Sequence, residues 1–247
     1  MPSSNPVLSE NTFSHFQQQQ ATSGSFMTID GAVNKTALLL LLIVASAAWS
    51  WSLYLSQNAF YMPVLLGGTI LGLVLALVTI FKKEWSPVTA PLYAVFEGAA
   101  LGALSGFFNE AYPGIVIEAV LLTFGTLGVL LLAYKSKLIQ VTDNFRLGVV
   151  AATGGIALVY VLTFILGFLG IRVPYIHDSG LIGIGFSVFV VIIASLNLVL
   201  DFDFIEKGAN LKAPKYMEWF AAFALMVTLV WLYVEFLRLL AKLRSRD

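Results

Sequence analysis

Long apolar runs alternate with short polar breaks along most of the chain. The runs lie at about 36–55, 60–81, 87–108, 113–134, 147–169, 180–205 and 219–241. Each run is close to the ~20 residues that a helix needs to cross ~30 Å of hydrocarbon. The breaks carry Lys, Glu, Asn and Pro, as connections between helices do. The pattern predicts an all-α membrane protein, a bundle of seven transmembrane helices in which sequential helices are antiparallel neighbours.

The first 34 residues differ in character from the rest. They are polar, contain a run of four glutamines at 17–20, and hold too little apolar surface to repay the entropy of ordering. A basic segment and a small-residue cleavage site, the marks of a secretory signal, are missing around the first apolar run. We therefore expect a flexible polar tail at 1–34 and a seven-helix transmembrane domain at 35–247.

Composition supports a membrane protein and narrows its partners. Hydrophobic residues make up 59% of the chain and charged residues 11%, with a mean hydropathy of +0.88, which is too apolar for an ordinary soluble domain. Fourteen basic and 14 acidic residues balance, so a nucleic-acid partner is not expected and the lipid bilayer is. The chain has no cysteine, which excludes disulfides and thiolate metal sites.

The distribution of Lys and Arg predicts an N-terminus on the cytoplasmic side. With that orientation the inner loops hold nine basic residues, whereas the outer loops hold only Arg172. Seven crossings then place the basic C-terminal residues outside, against the rule. We favour seven full crossings over the alternative, in which one run is re-entrant and both termini lie inside.

Glycines at four-residue spacing indicate where helices pack closely. Gly98, Gly102 and Gly106 form such a ridge in the third run, and Gly67, Gly68 and Gly72 cluster in the second. Small residues let helix backbones approach in a membrane, where larger apolar side chains gain nothing over lipid. We expect these glycines to be packing positions.

Carboxylates near the end of the sixth run are the first candidates for function. A charge at bilayer depth is costly, so Asp201 and Asp203 should face protein or water. Two residues apart on a helix, they point in different directions. Asp201 shares a face with Asn197 and is the inward candidate, unless it is a helix-end residue at the membrane surface. Asp203 is expected nearer to solvent, and both Asp203 and Asn197 are candidates for lining an ion pathway.

Two further acids lie inside apolar runs. Glu235 is well inside the last run and is the expected counterpart of Asp201, although Arg238, three residues on, could instead form a simple intrahelical ion pair with it. Glu97 is about ten residues from either end of the third run and has no evident basic partner, so it could respond to protons.

The usual catalytic constellations of membrane enzymes are missing. The two histidines, His15 and His177, are not well inside a run, and there is no HExxH zinc motif and no Gly-rich phosphate loop. We therefore expect a protein that is not an enzyme and that needs no cofactor, apart from any ion it binds.

Four segments together resemble the Bax inhibitor family, the transmembrane Bax inhibitor motif proteins. They are MTIDGAVNKTALLLLL before the first run, FEGAALGALSG in the third, LDFDFIEKGA closing the sixth and LYVEFLRLLAKL in the seventh. In order and spacing the resemblance covers about residues 27 to 243. The start MTIDGAVNKT is similar to the bacterial, YccA-like branch, which implies the bacterial inner membrane.

The resemblance implies a central last helix and a pH-sensitive calcium leak. In the family, an acid at the end of the sixth helix and one in the seventh share a proton and gate the pore. By motif these fall on Asp201 and Glu235, which are also the possible Ca²⁺ contacts. The chain departs from the family in two respects: 34 residues separate the acids, and positions 61 to 81 lack the family's basic latch. At 1.5 Å per residue Glu235 lies about 24 Å past Trp219, so contact with Asp201 would need a displaced last helix.

A shared proton predicts the direction of the pH response. Two neighbouring carboxylates cannot both ionise cheaply, so a protonated pair would hold the helices together and an ionised pair would repel and offer oxygens to Ca²⁺. Low pH should close the path and high pH open it. Two other functions stay open: a non-conducting regulator that binds a membrane protease or death-related partner through its N-terminal tail, and a proton-coupled transporter.

Overall fold

A computed structural model describes residues 26–170 and 179–246. Within these ranges the chain forms seven long α-helices. They are α1 (Ile29–Leu55), α2 (Tyr61–Phe81), α3 (Ser86–Ala111), α4 (Ile115–Lys135), α5 (Asp143–Phe168), α6 (Leu181–Asn210) and α7 (Met217–Arg244). All seven are long and apolar enough to cross a membrane. The predicted all-α membrane bundle is confirmed.

The first helix begins earlier than the apolar run suggests. Thr28 caps α1 with its hydroxyl, which accepts a hydrogen bond from the Gly31 amide, and Asp30 lies in the first turn. A hydroxyl cap and an acidic first turn stabilise the unpaired N–H groups at a helix start. Residues 29–34 are therefore helical, although the sequence assigned them to the tail. Residues 1–25 lie outside the described residues.

The glycine ridge of α3 packs directly on α1. A Cβ atom at Gly98 would collide with the Ser46 hydroxyl of α1, and one at Gly106 would lie 2.6 Å from the Tyr54 ring. The two helices pack along their length as a result, and α2 packs on another face of α3. The predicted packing role is confirmed for the glycines of α3 and for Gly68 and Gly72 of α2, which lie against α3. It is wrong for Gly67, where a Cβ atom would meet nothing within 4 Å.

The last helix is at the centre of the bundle. α7 packs against α1, α3, α4 and α6, and with α3 it is among the two most buried helices of the described structure. Its apolar side chains Leu232, Met226 and Leu237 are fully buried. The resemblance implied that six helices surround α7, whereas α2 packs chiefly on α3 and α5 chiefly on α6.

Contacts between helix ends place the starts of α1 and α7 at one end of the bundle and the start of α4 at the other. Thr28 at the start of α1 bonds to Glu218 at the start of α7, whereas Arg244 at the end of α7 bonds to Glu118 at the start of α4. Residues 26 and 246 therefore lie at opposite ends. This arrangement agrees with seven full crossings, and none of the described helices is a short re-entrant one.

Candidate gating carboxylates

The carboxyl group of Asp201 lies between α6 and α7, and none of the described Lys or Arg residues forms an ion pair with it. Its Oδ2 atom is buried and has no hydrogen-bond partner among the described residues. The Thr228 hydroxyl of α7 interacts with the carboxyl group. Asp201 is nine residues from the end of α6 at Asn210. The alternative interpretation, a helix-end residue at the membrane surface, is therefore wrong. A buried carboxyl without a base must keep its proton or attract a cation.

Asp203, in contrast, is both buried and held by two bases. Its side chain is 10% exposed, so the expectation that it lies nearer to solvent is wrong. Arg146 of α5 donates to Oδ2 at 2.5 Å, and Lys207, one turn along α6, approaches the same atom at 2.8 Å. The physical reason is that α6 continues five residues past the predicted end at 205, and that α5 begins at Asp143, which places Arg146 against Asp203.

Glu235 is buried in α7 and also has a base. Its side chain is 1% exposed, and its Oε1 atom accepts hydrogen bonds from the Tyr160 hydroxyl of α5 at 2.8 Å and from Arg238 at 3.0 Å. The Arg238 guanidinium also lies 5.4 Å from the centroid of the Tyr160 ring. The second carboxylate oxygen, Oε2, is buried with no partner among the described atoms. The intrahelical ion pair of Glu235 with Arg238, which was the alternative to a functional role, is therefore present, and the Tyr160 hydroxyl also bonds to the carboxylate.

The structure does not bring Asp201 and Glu235 together. Asp201 interacts with Thr228, and Glu235 is seven residues further along α7, or roughly 10 Å along the helix axis. α7 begins at Met217 without a displacement that would compensate for the long connection. Each acid has different neighbours. The two carboxyl groups are not in direct contact, so they do not share a proton as the resemblance implied.

Glu97 and Asn197 lie in two other places. The half-buried Glu97 carboxylate of α3 fits against Gly72 of α2, where a Cβ atom would collide with it, and none of the described Lys or Arg residues forms an ion pair with Glu97. The Asn197 amide donates to Thr153 of α5 and to the Ile193 carbonyl, each at 2.8 Å. Gly72 therefore makes room for an acid, and Asn197 links α6 to α5.

Glu218 is a buried acid that the sequence reasoning missed. Its fully buried carboxylate accepts hydrogen bonds from the Thr28 amide and hydroxyl at 2.9 and 3.0 Å, and from Lys35 and Lys215 at 2.5 and 2.7 Å. The spacing of Lys215 and Glu218, three residues at a helix start, is a signal that could have indicated part of this cluster. Thr28 and Lys35 are more than 180 residues away, and no local pattern predicts them.

Clustered metal ligands are missing from the parts of the chain that the structure describes. No group of three His, Cys, Asp or Glu side chains comes together there. The acids are instead distributed singly along the helix interfaces.

These features define the class: a multi-pass membrane protein with single acids buried between seven helices. The family model described as Bax inhibitor 1 like matches residues 5–245, and the chain belongs to this family. No curated protein and no solved structure matches the chain. The family resemblance found in the sequence is thus confirmed, and its bacterial, YccA-like branch stays a prediction.

Proposed function

We propose that this member of the Bax inhibitor family is a pH-sensitive calcium leak channel in which Asp201 is the gating carboxylate. The observation that carries the proposal is the buried Oδ2 atom of Asp201, which lacks a partner in the described structure and lies between the two helices α6 and α7. Buried polar groups in proteins are nearly always paired, so an unpaired one inside a membrane helix calls for a functional explanation.

Asp201 differs from its neighbouring acids in the way the proposal requires. Asp203 has Arg146 and Lys207, and Glu235 has Arg238 and Tyr160, so their charges are compensated in the structure. Among the described residues, the partner of the Asp201 carboxyl group is the Thr228 hydroxyl. When protonated, it is neutral and hydrogen-bonds across the α6–α7 interface. When ionised, it is an uncompensated charge with oxygens suited to Ca²⁺, a hard cation.

The pH response follows from this difference. Acid conditions keep the carboxyl protonated and the interface closed, whereas alkaline conditions ionise it and favour entry of a cation. Calcium influx should therefore rise as the pH rises. Glu97, which also lacks a base among the described residues, is the second acid that could contribute to this response.

Reconstitution in vesicles tests the proposal. The purified chain is placed in vesicles loaded with a calcium dye, and influx is recorded from about pH 6 to about pH 8. We expect an influx that rises with pH in the wild type and is lost or independent of pH in Asp201→Asn. Glu84→Gln, a change of an exposed acid outside the helix bundle, is the matched control and should behave like the wild type. Influx no greater than in empty vesicles at any pH would overturn the proposal.

A non-conducting regulator is the second candidate, and the Glu218 cluster favours it. Thr28 and Lys35 near the start of α1 both bond to Glu218, and the Met27 amide donates to the Ala213 carbonyl at 2.8 Å. A partner that pulls on residues before Phe26 would therefore act directly on the start of α7. This connection suits a protein whose N-terminal segment binds a membrane protease or another membrane protein.

Deletion of residues 1–25 separates the two candidates. A leak should survive the deletion, because the Glu218 contacts begin at Thr28. Binding of a partner through the N-terminal segment should be lost. Co-purification of membrane proteins with the full chain and with the deleted chain, measured together with influx, decides between them.

A further inference from the structure

Three polar side chains of α5 repeat at intervals of seven residues. They are Arg146, Thr153 and Tyr160. Residues seven apart on a helix lie on nearly the same face, with a drift of about 20° per repeat. At 1.5 Å per residue the three side chains span roughly 21 Å of the helix, most of the hydrocarbon thickness. α5 thus carries one polar stripe across the membrane.

Each member of the stripe bonds to a different polar residue of α6 or α7. Arg146 bonds to Asp203 at 2.5 Å and Thr153 accepts from Asn197 at 2.8 Å. Tyr160 donates to Glu235 of α7 at 2.8 Å. We call these three pairs, Arg146–Asp203, Thr153–Asn197 and Tyr160–Glu235, the polar seam.

Apolar packing adds little to the attachment of α5. α5 is the least buried of the seven described helices, and its buried apolar side chains are Val149 and Ile156. Ile156 packs against Val190 and Ile193 of α6. In a membrane, apolar contacts between helices compete with equally apolar lipid, so hydrogen bonds decide much of the association.

We propose that α5 is the movable wall of the calcium path and that the polar seam holds it closed. This inference rests on the proposed leak and concerns its regulation. When α5 separates from α6 and α7, Asp203, Asn197 and Glu235 lose their α5 partners and expose oxygen atoms at three depths of the helix interface, and oxygen is the ligand type that Ca²⁺ prefers. A cavity of about 200 Å³ lies next to Tyr160, Glu235 and Arg238, at one end of the polar seam.

A reversible covalent lock tests the role of α5 in the leak. Thr153→Cys combined with Asn197→Cys places two thiols where side chains already touch, and the natural chain has no other cysteine. Reduced, this variant lacks one pair of the polar seam and should leak faster than the wild type, by roughly threefold if the lost hydrogen bond is worth about 0.6 kcal/mol. Oxidised, it should leak more slowly than the wild type.

The control disulfide joins α2 and α3, two helices that should not move when the path opens. Thr79→Cys with Thr89→Cys replaces two buried hydroxyls of α2 and α3 that lie 2.7 Å apart. Oxidation of this pair should leave the influx unchanged. Two results would overturn the inference: equal influx from the oxidised and reduced forms of the variant with cysteines at 153 and 197, or a change in influx of the same size when the control pair is oxidised. Neither result would contradict the leak itself.

Spin labels report the position of α5 without any need for ion flux. Leu158 of α5 and Leu41 of α1 are both exposed, so each can be replaced by cysteine and spin-labelled. The distance between the two labels measures how far α5 lies from the bundle. Tyr160→Phe combined with Arg146→Gln should lengthen or broaden this distance. The distance between labels on Leu121 of α4 and Leu41 should stay the same. An unchanged α5 distance overturns the inference, whereas α5 movement without influx overturns only the proposed leak.

Discussion

Individual acids in this protein have different roles because their surroundings differ. Asp201, Asp203 and Glu235 occur in similar apolar sequence, yet in the described structure bases hold Asp203 and Glu235 and none holds Asp201. Lys207 and Arg238 are local partners at helical spacing, whereas Arg146 and Tyr160 are 57 and 75 positions away from the acids they bind. The acids and the Arg238 partner of Glu235 could be selected from sequence alone, whereas the partners on α5 could not.

The clearest effect of a single residue on stability is expected at Glu218. Glu218→Gln keeps the shape of the side chain but removes the charge that Lys35 and Lys215 approach. Both lysines are partly exposed, so we expect a loss of about 1–3 kcal/mol in the free energy of unfolding. Thermal unfolding in detergent measures it, with Glu84→Gln as the exposed control. An unchanged melting temperature would contradict the structural role of the Glu218 cluster.

At the level of helices, the close packing of α1 on α3 depends on glycines, which have no side chain. Gly102 lies so close to the Ala47 carbonyl of α1 that a Cβ atom would collide with it, whereas a Cβ at Gly125 of α4 would meet nothing within 4 Å. Gly102→Val should destabilise the protein by about 1–3 kcal/mol, the usual cost of overpacking. Gly125→Val should have a much smaller effect. Thermal unfolding of the two variants compares them, and equal losses would show that helix propensity, not packing, is responsible.

Helices were predictable from this sequence, and their mutual registers were not. Apolar runs fix the number of helices and approximate bounds, and the Gly98, Gly102 and Gly106 spacing marks one interface in advance. The depth of Asp201 relative to Glu235 depends on how α6 and α7 slide past each other, which no local pattern encodes. The contact of Arg146 with Asp203 depends on α5 starting at Asp143, inside a stretch that the hydropathy pattern assigns to a loop.

In the molecule as a whole, residues 26 and 246 lie at opposite ends of the bundle, and this arrangement implies a labelling pattern. The chain has no cysteine, so a single introduced thiol reports its own side. Ser56 at the end of α1 and Ser136 at the end of α4 are both exposed and lie at opposite ends of the bundle. If the N-terminus is cytoplasmic, an impermeant maleimide should label Ser56→Cys in intact cells and Ser136→Cys only after permeabilisation. The reverse pattern would contradict the proposed orientation.

The bundle as a whole combines closely packed helices with one that is much less buried. α1, α3 and α7 pack around one apolar core, whereas α5 is the least buried of the described helices and bonds to α6 and α7 through the polar seam. A protein that opens a path across the membrane needs such a difference in attachment, because one element must move while the others keep the fold.

The pH dependence of calcium influx in Asp201→Asn and Glu235→Gln, measured side by side, tests whether Asp201 is the gate. A gate at Asp201 predicts a flat profile for Asp201→Asn, because the carboxyl group without a base is gone. It predicts a retained slope for Glu235→Gln, because Arg238 and Tyr160 hold that acid. An Asp201→Asn influx that still rises with pH as steeply as the wild type would contradict the assignment of Asp201 as the gate.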